Sequence, residues 1–204
     1  MLKILGRKTS SNVQKVLWCC EEGGIPFKRE DIGGTFGGNN TPEYLARNPN
    51  GLVPTIDDDG FVLWESNAIV RYLAAKHAMG TLYPADLAHR ADADRWMDWQ
   101  QTTLAPPMGI LFRGMLKSPP DDIEPAQMEG AKQKAGAAFR ILDAQLAKHP
   151  FVAGRGLTMG DIALGNAVHR WFVLPMARPE LPHLQKWYER LCERPAYRQH
   201  VADV

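Results

Sequence analysis

A chain of 204 residues, 45% of them apolar and 23% charged, has room for one large domain or two small ones with real cores. Its 24 Lys and Arg against 23 Asp and Glu leave a formal net charge of +1, which argues against a nucleic-acid binder, since such proteins carry a basic footprint. No apolar run approaches a membrane span, and the opening MLKILGRK lacks the apolar stretch of a signal peptide. Of three cysteines, Cys19 and Cys20 are adjacent and Cys192 is distant, so neither a disulfide framework nor a zinc cluster is expected, and a cytoplasmic protein without a metal is.

In chain order, LKILG reads as a short strand and residues 12–24 as a helix with Val13, Val16, Leu17 and Cys20 on one side. PFKREDI is a second strand and GGTFGGNN a flexible loop. TPEYLARN opens a helix with Thr41 as N-cap and Pro42 at the first helical position. VPTIDDDGFVLWE reads as a hairpin turning at Asp59-Gly60, and SNAIVRYLAAKH as a helix that packs through Ile69, Val70, Leu73 and Ala74. The order β-α-β-α-β-β-α predicts a mixed four-stranded sheet over residues 1–80.

After the link GTLYPADLAHR strand signals nearly vanish, and residues 88–204 are expected to be all-helical. A first long helix is disturbed by Pro106 and Pro107. A second carries Ala131, Ala135, Ala138, Leu142 and Leu146 at helical spacing. A third begins in LTMGDIALG, where Thr158 and Asp161 form a near capping box and Leu157 and Ile162 a hydrophobic staple. LPHLQKWYERLCERPAY makes a fourth.

Within SSNVQ, taking Ser11 as N-cap puts Gln14 at N3 and completes a Ser-x-x-Gln capping box. Ser10 is then left one step outside the helix without a structural task. Cys19 and Cys20 fall about two turns into that helix and are expected in the core.

A small sheet domain, a short link and a helical domain resemble the cytosolic glutathione transferases. The specific likeness is TPEYLARNPNGLVPTIDDDGFVLWESNAIVRYLA, residues 41–74, joined by the opening SSN and by LTMGDIALG. The resemblance implies an α/β thioredoxin-like N-terminal domain plus an all-α C-terminal domain, a homodimer, and glutathione as co-substrate. Val53-Pro54 matches the family's cis-proline position, with the Val53 backbone pairing to the cysteinyl part of glutathione like an added strand. Ser66, at a helix start, suits the γ-glutamyl carboxylate, and Glu65 the ligand's ammonium. Asn39 and Asn40 stand where relatives face the glycyl carboxylate with basic or amide groups. Thr55 either supports the peptide or faces the sheet core. Gln14 stands where many members carry Arg, so that support is expected to be missing.

By the same resemblance, in serine-type classes (phi, theta and delta-like) Ser10 is the catalytic residue, with Ser11 and Asn12 as its support. Its hydroxyl donates a hydrogen bond to the glutathione sulfur and favours thiolate over thiol. Ser-Ser-Asn rather than Ser-Ser-Cys counts against an isomerase of the zeta type, and no cysteine at that place against a glutaredoxin-type exchange. The expected second substrate is a small hydrophobic electrophile bound between the domains, against Met108, Leu111, Phe112, Met115 and Trp171, with Phe172 a further candidate. Arg113 would steer an anionic substrate, Trp96, Met97 and Trp99 serve dimer or core, and Asp94 or Asp98 would reach the partner's glutathione. Conjugation is the leading activity and peroxide reduction its companion. The alternatives are a glutathione-dependent dehalogenase or isomerase on the same scaffold, and a non-catalytic binding module.

Overall fold

The structure, a computed structural model, describes residues 1–117 and 120–204. The chain forms two compact units, Met1–Ala85 with Arg194–Val204, and Asp86–Glu193.

In the first unit the order is β1 (Leu2–Leu5), α1 (Ser11–Glu22), β2 (Phe27–Glu30), α2 (Pro42–Arg47), β3 (Thr55–Asp58), β4 (Phe61–Trp64) and α3 (Ser66–His77). The strands lie in the order β2-β1-β3-β4. β1 and β2 are parallel, as the α1 crossover requires, and β3 runs antiparallel to β1 and β4. Ile4 sits opposite Ile56, and both are fully buried. The helix faces expected from periodicity are buried too: Val13, Val16, Leu17 and Cys20 on α1, and Ile69, Val70, Leu73 and Ala74 on α3. The hairpin turns through Asp59 (φ 52°) and Gly60 (φ 95°), two left-handed residues that match the twist of the strands they join.

In the second unit the helices are α4 (Leu87–Trp99), α5 (Ala105–Leu111), α6 (Pro125–Leu146), α7 (Met159–Val173) and α8 (Pro182–Cys192). The long helix expected to be disturbed around Pro106 and Pro107 is a helical run with π-type turns at Gln100–Leu104 and Phe112–Leu116. Pro106 and Pro107 fall in the first turn of α5, directly after the wide turn, where a missing N–H removes little. α7 starts with the expected capping box: the Thr158 N–H donates to Asp161 Oδ2 at 2.9 Å.

The last segment departs from expectation. Residues 194–204 are expected in the helical half, yet α9 (Pro195–Tyr197) and the turn Arg198–Ala202 belong to the first unit. The Tyr197 ring stands edge-on to Trp18 of α1 at 4.8 Å. Arg194 Nε donates to Glu22 Oε1 at 2.7 Å.

Candidate active site

The turn after β1 is anchored to the segment that follows β2. Gly6 N–H donates to the Glu30 carbonyl at 2.8 Å and Arg7 N–H to the Ile32 carbonyl at 3.0 Å. Gly6 is also where three segments meet. A Cβ there would lie 2.5 Å from Val13 Cγ2 and 3.3 Å from Val53 Cβ. Only a residue without a side chain lets the end of β1, the first turn of α1 and the Val53 loop close on one point.

Ser10, not Ser11, is the N-cap of α1. Its backbone is extended (φ −81°, ψ 123°), and its carbonyl accepts the first helical hydrogen bond, from Gln14 N–H at 2.8 Å. Ser11 is the first helical residue, so the expected Ser11–Gln14 box does not form. The turn Arg7–Ser10, closed by Ser10 N–H on the Arg7 carbonyl at 3.1 Å, sets the helix start one residue earlier than the sequence signal. The Ser10 hydroxyl makes no capping hydrogen bond and the side chain is half-buried. It therefore remains unused by the helix, although for a different reason than the sequence suggested. Ser11 is half-buried and Asn12 exposed.

A cation stands where none was expected. Gln14 is buried and carries no charge, but the next residue, Lys15, is only 5% exposed and sends its Nζ to Ser66 Oγ and Asn67 Oδ1, both at 3.2 Å. Ser66 Oγ in turn donates to Asn12 Oδ1 at 3.3 Å. Ser66 and Asn67 are the first two residues of α3, and the N–H groups and dipole of a helix start favour an anion. The N-cap before them, Glu65, is exposed and held at φ 73°, a left-handed conformation unusual for a residue with a side chain. Lys15 was missed because a lysine four residues into a helix reads as solvated. The Ser66-Asn67 pair that receives it is 51 residues away.

The Val53-Pro54 bond is cis. Among the described residues the Val53 N–H and carbonyl make no hydrogen bond to the chain, and Pro54 is buried. Thr55 resolves toward structure: its Oγ1 is fully buried, 2.9 Å from Tyr44 Oη and 3.0 Å from the Asn48 amide that donates to it. Tyr44 and Asn48 also donate to the Leu52 carbonyl, at 2.6 and 2.8 Å, and so hold the approach to Val53. Asn39 spends one donor on the Gly51 carbonyl at 2.7 Å, while Asn40 is exposed.

In the second unit, Met108, Leu111 and Trp171 are at most 4% exposed, and the Trp171 ring packs on Phe139 at 4.5 Å. They offer little surface to a ligand. Phe112, Met115 and Phe172 keep some exposure. The Arg170 guanidinium lies 3.8 Å from the centre of the Phe112 ring. Arg113 is paired with Asp121 at 3.4 Å. Trp96 and Met97 are buried, with Trp96 edge-on to Trp99 at 5.2 Å. Cys19 and Cys20 are fully buried in α1, and burial pushes the Cys19 thiol up to about 12 and raises that of Cys20 as well. Neither is a thiolate at neutral pH. Among the described residues no group of three or more His, Cys, Asp or Glu is placed to hold a metal ion, and no helix is long and apolar enough to cross a membrane.

The chain matches the glutathione S-transferase N-terminal domain over residues 9–76 and the C-terminal domain over residues 125–190. It is 40% identical over 203 residues to glutathione S-transferase GstB of Escherichia coli strain K12, covering 98% of each chain. It is 32% identical to glutathione S-transferase 3 of Zea mays, covering 100% of this chain and 94% of that one. Among solved structures, the theta class glutathione S-transferase from Xanthomonas axonopodis pv. citri with glutathione bound has a TM-score of 0.93 at 50% identity, covering 98% of this chain and 96% of that one. With both halves matched and the sheet, the cis-proline and the helix starts in place, the chain belongs to the glutathione transferase family, a thioredoxin-like α/β domain followed by an all-α domain.

Proposed function

We propose that this glutathione transferase binds glutathione along the first unit and that Ser10 stabilises its thiolate for attack on a small hydrophobic electrophile. The Val53 N–H and carbonyl pair with the cysteinyl residue, and the N-terminus of α3 at Ser66, with Lys15 behind it, receives the γ-glutamyl carboxylate. Glu65 meets the ammonium. Asn39 and Asn40 lie toward the glycyl carboxylate, with Asn40 the freer of the two. Ser11 and Asn12 frame the start of α1. The observation that carries this reading is the unused Ser10 hydroxyl at the head of a helix.

A free thiol of pKa about 8.5 is only a few percent ionised at pH 7. Lowering it by about two units requires about 2.7 kcal/mol of preference for the thiolate. One charged hydrogen bond supplies about 1.5–3 kcal/mol, and the amides at the start of α1 add to it. The thiolate then displaces a leaving group at an electrophilic carbon, or attacks a peroxide oxygen, breaking the O–O bond to release an alcohol and leave a sulfenic acid that a second glutathione converts to the disulfide and water. For the electrophile, Phe112, Met115 and Phe172 are the apolar candidates with surface to offer, and Met108, Leu111 and Trp171 shape the helices behind them.

We further propose a homodimer. Phe61 and Trp64 on the edge strand β4 are 49% and 36% exposed, a pairing edge and apolar surface of the kind that a second subunit covers. Light scattering on the purified chain at micromolar concentration tests it, and a monomer would overturn it.

The test of the chemistry compares Ser10→Ala and Ser11→Ala. Ser10→Ala should lower turnover with an activated aryl halide by about 10- to 100-fold, the loss of one charged hydrogen bond, while glutathione affinity by calorimetry stays nearly unchanged. Ser11→Ala should leave turnover and stability close to wild type. The reverse pattern would move the thiolate donor to Ser11, and failure to bind glutathione at millimolar concentration would end the enzymatic reading.

A further inference from the structure

We propose that the second unit carries an anion site for a phosphate-type dianion, free or as the end of a phosphomonoester, in a cavity between the end of α6 and one face of α8. The cavity has a volume of about 240 Å³. At about 30 Å³ per water in the liquid it holds roughly eight waters, enough for a phosphoryl group and a short organic body.

Its walls are basic from two directions. His183, Lys186 and Arg190 are spaced i, i+3 and i+7 along α8 and so share one face. Lys148 and His149 come from the turn after α6 and close the other side. Three permanent cations and two imidazoles thus surround one concavity, and among the described residues no Asp or Glu lines it. In a chain whose formal net charge is +1, that is a marked local concentration of one sign.

The nearby carboxylates are already engaged. Asp143 Oδ1 accepts the backbone N–H groups of His183 and Leu184 at 2.9 and 2.8 Å, which caps the start of α8. Glu189 Oε1 accepts from the Gln185 amide at 3.0 Å. Among the described residues neither the Lys148 nor the Lys186 ammonium has a hydrogen bond or ion pair. Arg190 is different. One of its N–H groups donates to the Pro150 carbonyl at 2.6 Å, and the guanidinium lies 5.6 Å from the Phe151 ring. That fixes the fork and leaves its other donors for a ligand. The floor is fixed as well, because the buried Trp187 indole donates to Asp161 Oδ1 at 3.0 Å. A positioned Arg, two exposed Lys and two imidazoles suit an oxyanion that accepts several hydrogen bonds at once.

Calorimetric titrations with inorganic phosphate and with glycerol 3-phosphate, at ionic strength held constant with sodium chloride, test the site. Wild type should bind at least one of the two saturably in the millimolar range, and which one identifies the source of the phosphate group. The Lys148→Ala/Lys186→Ala double variant should bind about tenfold more weakly or worse, and Lys186→Glu should abolish binding. Both lysines are exposed, so the variants should keep the wild-type glutathione affinity, which serves as the folding control. Saturable binding of neither anion by wild type, or equal binding by the double variant, would overturn the proposal.

Discussion

An N-cap serine normally gives its hydroxyl oxygen to a backbone amide two or three residues on, and at Ser10 that bond is missing. The helix forgoes part of its capping, and the hydroxyl stays available to a ligand sulfur. Lys15 shows the complementary case. A lysine that is 5% exposed carries a desolvation cost, and its ammonium is aimed at the first two residues of α3. If the γ-glutamyl carboxylate sits at that helix start, Lys15 adds a full charge behind the Ser66 hydroxyl. Lys15→Met keeps much of the side-chain length and removes the charge. It should weaken glutathione binding by about 10- to 100-fold, the equivalent of one charged hydrogen bond, with a smaller effect on the turnover of saturated enzyme. Calorimetry and the KM for glutathione read this directly, and an unchanged affinity would remove Lys15 from the site.

The elements hold these residues through packing that single positions control. Gly6 lets β1, α1 and the Val53 loop converge, and the Tyr44–Asn48–Thr55 cluster sets the path into the cis-proline. In the helical unit the corresponding residue is Asp161. It accepts the Val152 and Thr158 backbone N–H groups, the Thr158 hydroxyl and the Trp187 indole, all within 3.1 Å. Burial pushes its carboxyl up to about 6, against the pull of those donors. The native state therefore keeps this proton between about pH 4 and 6, where the unfolded chain has released it. The contribution of Asp161 to stability is full near pH 4 and is lost as pH rises through 6, a change of about 3 kcal/mol. Asp161→Asn should be less stable at every pH, because its amide sets donors against donors. The gap to wild type in urea denaturation should be widest near pH 4, and a gap constant from pH 4.5 to 7 would contradict the assignment. This capping box was legible in the sequence because both partners lie within one turn. So were the element order of the first unit, the hairpin at Asp59-Gly60 and the Thr41 cap, each set by local chemistry. The Ser11–Gln14 box was equally regular on paper and did not form, since the preceding turn decides where a helix starts. Burial of Met108, Leu111 and Trp171 and the reach of Lys15 depend on neighbours distant in the chain, which spacing along one helix does not encode.

At the scale of the molecule the chain leaves the first unit at Ala85 and returns to it at Arg194. Nothing in RPAYRQHVADV distinguishes a tail that continues the helical domain from one that goes back to the sheet domain. The distinction rests on Trp18. Its indole is fully buried, donates to Glu22 Oε1 at 3.0 Å and is covered by Tyr197. Glu22 is bound in turn by Arg194. Tyr197 and Val201 are at most 1% exposed and Ala196 is 8% exposed. At about 1.5–3 kcal/mol for each large apolar side chain buried, the tail contributes about 3–6 kcal/mol, a large share of the usual 5–15 kcal/mol for a domain. Because α1 also carries Ser10 and Lys15, the loss should reach the site. Truncation after Glu193 should abolish glutathione binding and open residues 1–85 to limited proteolysis, while the helical unit stays resistant. Arg194→Ala tests the same contact more gently. It removes the Arg194 guanidinium from Glu22, whose side chain is 9% exposed, and should cost about 1–3 kcal/mol in urea denaturation. A truncated chain that still binds glutathione with wild-type affinity would show that the returning tail is dispensable to the first unit.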